Sequence, residues 1–337
     1  MDTDIYLFEQ MKMKHMKAWT MAALALMAVG CSGSKVEVVA QKDMADTPIA
    51  FTAGVDDLVS RAGHEGYLKE GEMGLFLSTE GTKPYEEKYN AENAKVTGIN
   101  GTWTTESTLF WKNNSAKVSY SAYLPYQFPL WEPVGPGILC CIIEPSTVQT
   151  AESILGDDLL FASGKDLTAA ENPGGIALTF RHKFALLKVL LTRTTEVDES
   201  EDVINVQLPL CLKMAAMDVH GGQLYTEPYR NETATVSMYG TKAEASGFTD
   251  TWEALLIPKT FAANEFQLTI TVGTGDGERA AFRYTSPAEV KLEEGTVNII
   301  RLTVGRDKVI MDDFRAEEWT DGTNGVGETI ETDDQLI

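Results

Sequence analysis

Three features of the 337-residue sequence predict an all-β fold. From Ile49 onward apolar and polar residues alternate with period two, the alternating runs are short, and Gly, Pro, Asn and Asp separate them. Many short strands joined by turn residues pack as β-sandwiches. The chain is long enough for two domains of ordinary size or one large β domain, and its core needs no disulfides.

Residues 11–31 read as an export signal: Lys12, Lys14 and Lys17 are basic, an apolar run extends from Ala18 to Ala28, and small residues close it. The run is too short for a bilayer, which needs roughly 20 residues. Ala28, Val29, Gly30 and Cys31 resemble the lipobox of bacterial lipoproteins, where the cysteine takes a diacylglyceryl group and becomes the first residue after cleavage. Ala28 stands where leucine is usual, and an ordinary secretory signal that happens to contain a cysteine is the other reading. The ten residues MDTDIYLFEQ spoil the basic region, so translation is expected to start at Met11 or Met13.

Ser32 to Thr47 is mostly small, polar and charged, as suits a spacer. The stretch Ile49 to Ala62, IAFTAGVDDLVSRA, is the one around which the rest of the chain is organised. Ile49, Phe51, Ala53 and Val55 fall on one side of an extended chain, which predicts a strand with one buried face. Its second half is polar and carries a lone Arg61 between Ser60 and Ala62, a bond open to a trypsin-like protease.

Further strands are predicted at 73–77, 109–111, 116–123, 138–143, 159–162, 176–180, 185–192, 203–210, 234–239, 252–257, 266–272, 280–284, 297–304 and 308–311. The glycine-rich residues 273–277 suit a hairpin turn between two of them. Helical periodicity is scarce, with a turn or two expected at Thr147 to Leu155 and Asp313 to Trp319. AAENPGG at 169–175 is the expected domain boundary. The divisions are then 1–31 extension and signal, 32–61 spacer and first strand, 62–172 first β-sandwich, and 173–337 second β-sandwich with its tail.

Fifty acidic against 28 basic residues leave a net charge of -22, and the leader contributes none of it. Such a field argues against nucleic acid as a partner, because phosphates need a basic face. Cys140 and Cys141 lie in the apolar run ILCCII; buried free thiols or a disulfide from either to Cys211 are both open.

Catalytic motifs are absent from the sequence: His64, His182 and His220 lack metal-ligand spacing, and no zincin, nucleophile-elbow, phosphate-loop or paired C-x-x-C pattern appears. Asp321, Thr323, Asn324 and Glu328 miss calcium-loop spacing because Gly325 occupies a ligand position, so the tail reads as solvated. No enzyme activity, cofactor or metal is expected. Trp103, Phe110, Trp111, Tyr120, Tyr123 and Tyr126 read as core aromatics, with a sugar-binding platform as the rival.

Several stretches together resemble the fimbrillin family, the type V pilins of Gram-negative gut and oral bacteria. They are the lipobox, IAFTAGV followed by SRA, EGEMGLFL, GTWTTESTLFWKNNSAKVSYSAYLPY, DDLLFAS, IALTFRHKFALLKVLL, LIPKTFAANEFQLTITVG and the ending LEEGTVNIIRLTVGRDKVIMDDFRAEEWTDG. The resemblance implies two transthyretin-like β-sandwich domains in tandem, lipid anchoring at the outer membrane and cell surface, and assembly with other fimbrial subunits. It also implies an Arg-specific protease cutting between Arg61 and Ala62, so that the strand Ile49 to Val55 departs and a neighbour's strand fills its groove. The tail after Trp319, with Val326, Ile330, Leu336 and Ile337, is the donor candidate. The alternative is a non-polymerising surface lipoprotein binding glycan or a host ligand through Trp103, Trp111 and Tyr126.

Overall fold

A computed structural model describes residues 42–55, 69–194, 202–242, 247–274, 277–305 and 309–318. Contacts divide the chain into Met1–Lys42 and Asp43–Ile337, and all the strands among the described residues fall in the second unit. In chain order its first strands are β1 (Phe51–Val55), β2 (Gly71–Thr79), β3 (Ala91–Ile99), β4 (Thr102–Thr105), β5 (Val118–Leu124) and β6 (Cys140–Ile143). The short helix α1 (Ala151–Gly156) precedes β7 (Leu160–Leu167) and β8 (Ile176–His182). Next come β9 (Ala185–Arg193), β10 (Asp202–Leu212), β11 (Ala215–Asp218), β12 (Leu224–Tyr225), β13 (Thr233–Ser237), β14 (Tyr239–Lys242) and β15 (Asp250–Leu256). The last are β16 (Lys259–Phe261), β17 (Gln267–Thr274), β18 (Gly277–Thr285), β19 (Val290–Leu292), β20 (Thr296–Val304) and β21 (Val309–Glu318).

The protein is all-β, and its first half, expected as a β-sandwich, has its strands joined in a closed barrel, in the order β1-β4-β3-β2-β5-β7-β8 and back to β1. Closure results from β1, which pairs with strands on both its sides. Inside lie Met73, Leu75 and Leu77 of β2, Val118, Tyr120 and Ala122 of β5, and Ile176, Leu178 and Phe180 of β8. Strand β8 alternates without a fault, each buried residue followed by an exposed one. The loop 169–175 joins two barrel strands, so the change from barrel to the second layer system comes after His182.

The second half stacks a four-stranded sheet, β13-β10-β17-β18, on a five-stranded one, β14-β15-β9-β20-β21. Val206 and Leu208 of β10 and Leu268 and Ile270 of β17 meet Leu187, Val189 and Leu191 of β9 and Leu302 of β20 in one core. The opposite face of the five-stranded sheet is buried too. Leu186 and Leu190 of β9, Leu255 of β15 and Ile299 of β20 pack with Phe76 and Tyr123 from the outside of the barrel. A sheet covered on both faces needs apolar residues at both parities. The run FALLKVLL is therefore almost continuously hydrophobic, and it joins the two halves.

Four glycines sit directly opposite aromatic residues on neighbouring strands: Gly74 and Tyr123, Gly98 and Trp103, Gly164 and Tyr120, Gly240 and Trp252. In each pair the ring lies over the glycine, and an added Cβ would approach ring atoms to between 2.2 and 2.7 Å. The missing side chain makes room for the ring.

Helix α1 begins where Thr150 caps it, with Ser153 N–H donating to the Thr150 hydroxyl at 3.2 Å. Just before it, the buried Gln149 amide accepts from Leu255 N–H at 2.7 Å and donates to Leu255 C=O at 2.8 Å. It thus acts as a strand residue beside β15, beyond the end of β14. Gln149→Leu would bury two backbone groups without partners, each costing about 1–3 kcal/mol. We expect it to lower the unfolding free energy by about 2–4 kcal/mol, measured by denaturant titration.

Two expectations need correction. Asp313 to Glu318 is not a helical turn but part of β21, paired with β20 from Thr296↔Glu318 to Val304↔Val309. Leu109 to Trp111 forms no strand of its own; it hydrogen-bonds instead to the chain segment just ahead of β1.

Candidate functional site: the strand that closes the barrel

Strand β1 runs parallel to β8, from Phe51↔Ile176 to Val55↔Phe180, and meets β4 antiparallel at Phe51↔Trp103. Ile49 and Phe51 are buried, while Ala53 and Val55 pack half-buried against the same core. The predicted inward set, Ile49, Phe51, Ala53 and Val55, thus faces the barrel interior, most deeply at its first two members. Ile176 N–H donates to Ala50 C=O at 2.8 Å at the start of the pairing. Gly175 lies against that carbonyl with φ +111, and a Cβ there would fall 2.2 Å from the Ala50 oxygen.

The docked segment begins earlier than the sequence suggests. Met44 is buried with 5% exposure in the barrel core, and its N–H donates to Asn114 Oδ1 at 2.6 Å. Asp46 N–H donates to Trp111 C=O at 2.8 Å, Trp111 N–H to Thr47 C=O at 2.9 Å, and Ile49 N–H to Leu109 C=O at 2.8 Å. On the outside, the Asp46 carboxylate takes Lys88 at 2.7 Å and the Tyr89 hydroxyl at 2.8 Å, which draws its pKa below the usual carboxylate value. Exposed pairs of this kind contribute little to stability, so Met44, Ile49 and Phe51 carry the docking. Met44 was hidden from the pattern because Asp46 turns the chain with φ 57, breaking the alternation between Met44 and Ile49.

Cys31, Arg61 and Ala62 lie outside the described residues. The described chain stops at Val55 and resumes at Lys69, so the segment that carries Arg61 joins β1 to β2.

The proposed sugar platform does not form. Trp103 and Trp111 are interior, the latter 1% exposed, and both belong to the barrel core. Tyr126 is half-buried beneath the Lys95 ammonium, 5.7 Å from its ring centroid. Apolar rings on the inward face of a closed barrel are core residues.

His182 ends β8 inside the protein, with Nδ1 2.7 Å from Asp158 Oδ2 and both side chains buried. His220 is exposed and sets its ring edge-on to Phe76 at 4.4 Å. Among the described residues no three His, Cys, Asp or Glu side chains converge as a metal site.

Cys140, Cys141 and Cys211 are buried free thiols, so the disulfide alternative is set aside. Burial pushes the Cys140 thiol up to about 11 and those of Cys141 and Cys211 to about 12, from an ordinary 9.0. A raised folded-state pKa favours the protonated fold. That stability is complete well below pH 9 and is lost as pH climbs from 9 through the raised value of each thiol. Denaturant midpoints recorded between pH 8 and 11 should fall, and Cys211→Val should flatten the slope. A thiol reagent at pH 8 should label Cys140, Cys141 and Cys211 of the native protein only at its unfolding rate.

The geometry defines a class: an all-β scaffold whose first layer system is a ring completed by strand β1, followed by a two-sheet sandwich. The chain belongs to the fimbrillin-like family, whose sequence profile matches residues 60–319. Solved structures that share its fold include three from Bacteroides species. A cell adhesion protein from Bacteroides uniformis aligns with TM-score 0.59 at 18% identity, covering 82% of this chain and 100% of that one. A cell adhesion protein from Bacteroides ovatus gives TM-score 0.60 at 17% identity, over 82% and 98%. A fimbrial protein from Bacteroides vulgatus gives 0.55 at 16%, over 81% and 100%. No curated protein sequence matches the chain.

Proposed function

We propose that this protein is a structural subunit or accessory component of cell-surface fimbriae, without catalytic activity. It is exported as a lipoprotein through Cys31 and held at the outer membrane until an Arg-specific protease cuts between Arg61 and Ala62. The observation that carries this reading is the position of β1, which completes the barrel yet is joined to β2 only through the segment that contains Arg61. Family membership and fold relatives described as fimbrial and adhesion proteins support it. In domain terms the reading keeps two transthyretin-like units, the first with its sheets joined into a ring.

Cutting the tether makes β1 a separate peptide held by side-chain burial and ladder hydrogen bonds. Burying a large apolar side chain contributes roughly 1.5–3 kcal/mol, and each ladder bond about 0.5–1.5 kcal/mol. A strand from a neighbouring subunit, offered at high local concentration, restores both by β-strand addition. The tail with Val326 and Ile330 is the donor this sequence provides, although its acidic residues suit a dry groove less well than IAFTAGV.

The test compares wild type with Arg61→Ala after treatment with an Arg-specific protease. Wild type should yield a chain beginning at Ala62 and a ladder on a denaturing gel, while the variant should stay full-length and monomeric. Ladders of equal intensity from both would overturn the proposal.

A further inference from the structure

The loop from Pro125 to Leu139, between β5 and β6, is fixed at both ends. Gln127 Oε1 accepts from Ile142 N–H at 2.8 Å while its Nε2 donates to Ile142 C=O, so the side chain pairs with β6 as a strand would. The Gln127 carbonyl accepts from the Tyr123 hydroxyl at 3.0 Å and from Asn93 Nδ2 at 2.9 Å. Trp131 and Cys140 exchange backbone hydrogen bonds of 3.0 and 2.7 Å. A loop so tied could turn its large rings inward, yet Phe128 is 78% exposed and Trp131 56%. Among the described residues no other tryptophan is exposed.

Beside Trp131 opens a cleft of about 330 Å³, lined by Trp131, Glu132, Pro133, Ile142, Met214 and Tyr229. These residues come from the loop, from β6, from the turn between β10 and β11, and from the 3-10 turn at Glu227–Tyr229. It is shallow and largely open to solvent, and its volume suits a single ring lying on its apolar floor better than a folded partner. The walls are aromatic, aliphatic and thioether groups. Glu132 and Tyr229 are lining residues with polar side-chain groups, a carboxylate acceptor and a hydroxyl whose pKa burial raises, so that it stays a donor.

We propose that this cleft binds a neutral sugar ring. A pyranose has a C–H face that stacks on indole and a rim of hydroxyls that donate to a carboxylate and accept from a phenol. No lysine or arginine lines the cleft, and the net charge of -22 repels anions, so acidic sugars and phosphates are disfavoured. The residues are distinct from Trp103 and Trp111, which the barrel core consumes, and the site does not depend on the strand-exchange reading.

The test titrates the full protein with the methyl glycosides of glucose, galactose, mannose and N-acetylglucosamine. Binding is followed by tryptophan fluorescence and by saturation-transfer NMR on the sugar protons. At least one glycoside should bind; Trp131→Ala should weaken it about tenfold, Glu132→Gln about threefold, and Phe128→Ala should leave it unchanged. Trp131→Ala should keep the wild-type denaturant midpoint, since its ring is more than half exposed and the Cys140 bonds are backbone. Failure of all four glycosides, or equal affinity in Trp131→Ala, would overturn the proposal. So would concentration-dependent self-association, abolished by either Phe128→Ala or Trp131→Ala, in a protein that binds no glycoside. That result would make the face a contact between copies.

Discussion

Phe51→Ala is expected to lower the unfolding free energy by about 3–5 kcal/mol, the range for truncating a buried aromatic side chain. Phe51 is the one β1 residue in register with both neighbours, Trp103 of β4 and Ile176 of β8. Its ring fills the barrel core, so alanine leaves a cavity at the seam where the ring closes. Thr52 faces solvent one position along, and Thr52→Ala should change stability by less than about 0.5 kcal/mol. Denaturant midpoints of the two variants, at unchanged slope, separate a structural seam from a strand that merely rests on the barrel. A cost for Phe51→Ala near that of Thr52→Ala would mean that β1 closes nothing.

The second large effect is expected at Gly175. Alanine there would take a positive φ that L-residues rarely adopt, costing about 1–3 kcal/mol, and would drive its Cβ into the Ala50 carbonyl, costing a similar amount again. A backbone oxygen cannot rotate aside as a flexible side chain can, so β1 must lift where its pairing with β8 begins. Gly175→Ala should therefore lose about 2–6 kcal/mol, and amide exchange from Thr52 to Val55 should accelerate more than exchange in β2 or β5. Gly174 is the control, because an added Cβ there meets nothing within 4 Å. If both variants exchange alike, the contact with Ala50 does not hold the strand.

The legible parts of the fold are those where one physical cause dominates the pattern. Strand β8 reads directly because it has one buried and one exposed face. FALLKVLL was legible as a strand, but not the reason for its density, since the cover on its second face comes from Phe76 and Tyr123, far away in sequence. Strand β3, AENAKVTGI, was missed: Val96 is its one hydrophobic residue in the buried core, and its place is set by neighbours on both sides. The acidic stretch from Asp313 to Glu318 looked like a short helix because its pairing partner, β20, supplies the order that its own composition lacks. For the candidate site, Ile49, Phe51, Ala53 and Val55 were visible from alternation alone. Met44 and Asn114 were not, because the first precedes a bend and the second acts through one hydrogen bond to a distant backbone.

The central claim is that β1 fills a place another strand can take. Native mass spectrometry of the protease-treated protein tests it most directly, because it weighs subunits and the N-terminal peptide together. Oligomers are expected to lack the peptide ending at Arg61, one peptide being lost for each subunit joined, while uncoupled subunits still carry it. Oligomers that retain every peptide, or subunits that shed it and stay monomeric, would contradict the account.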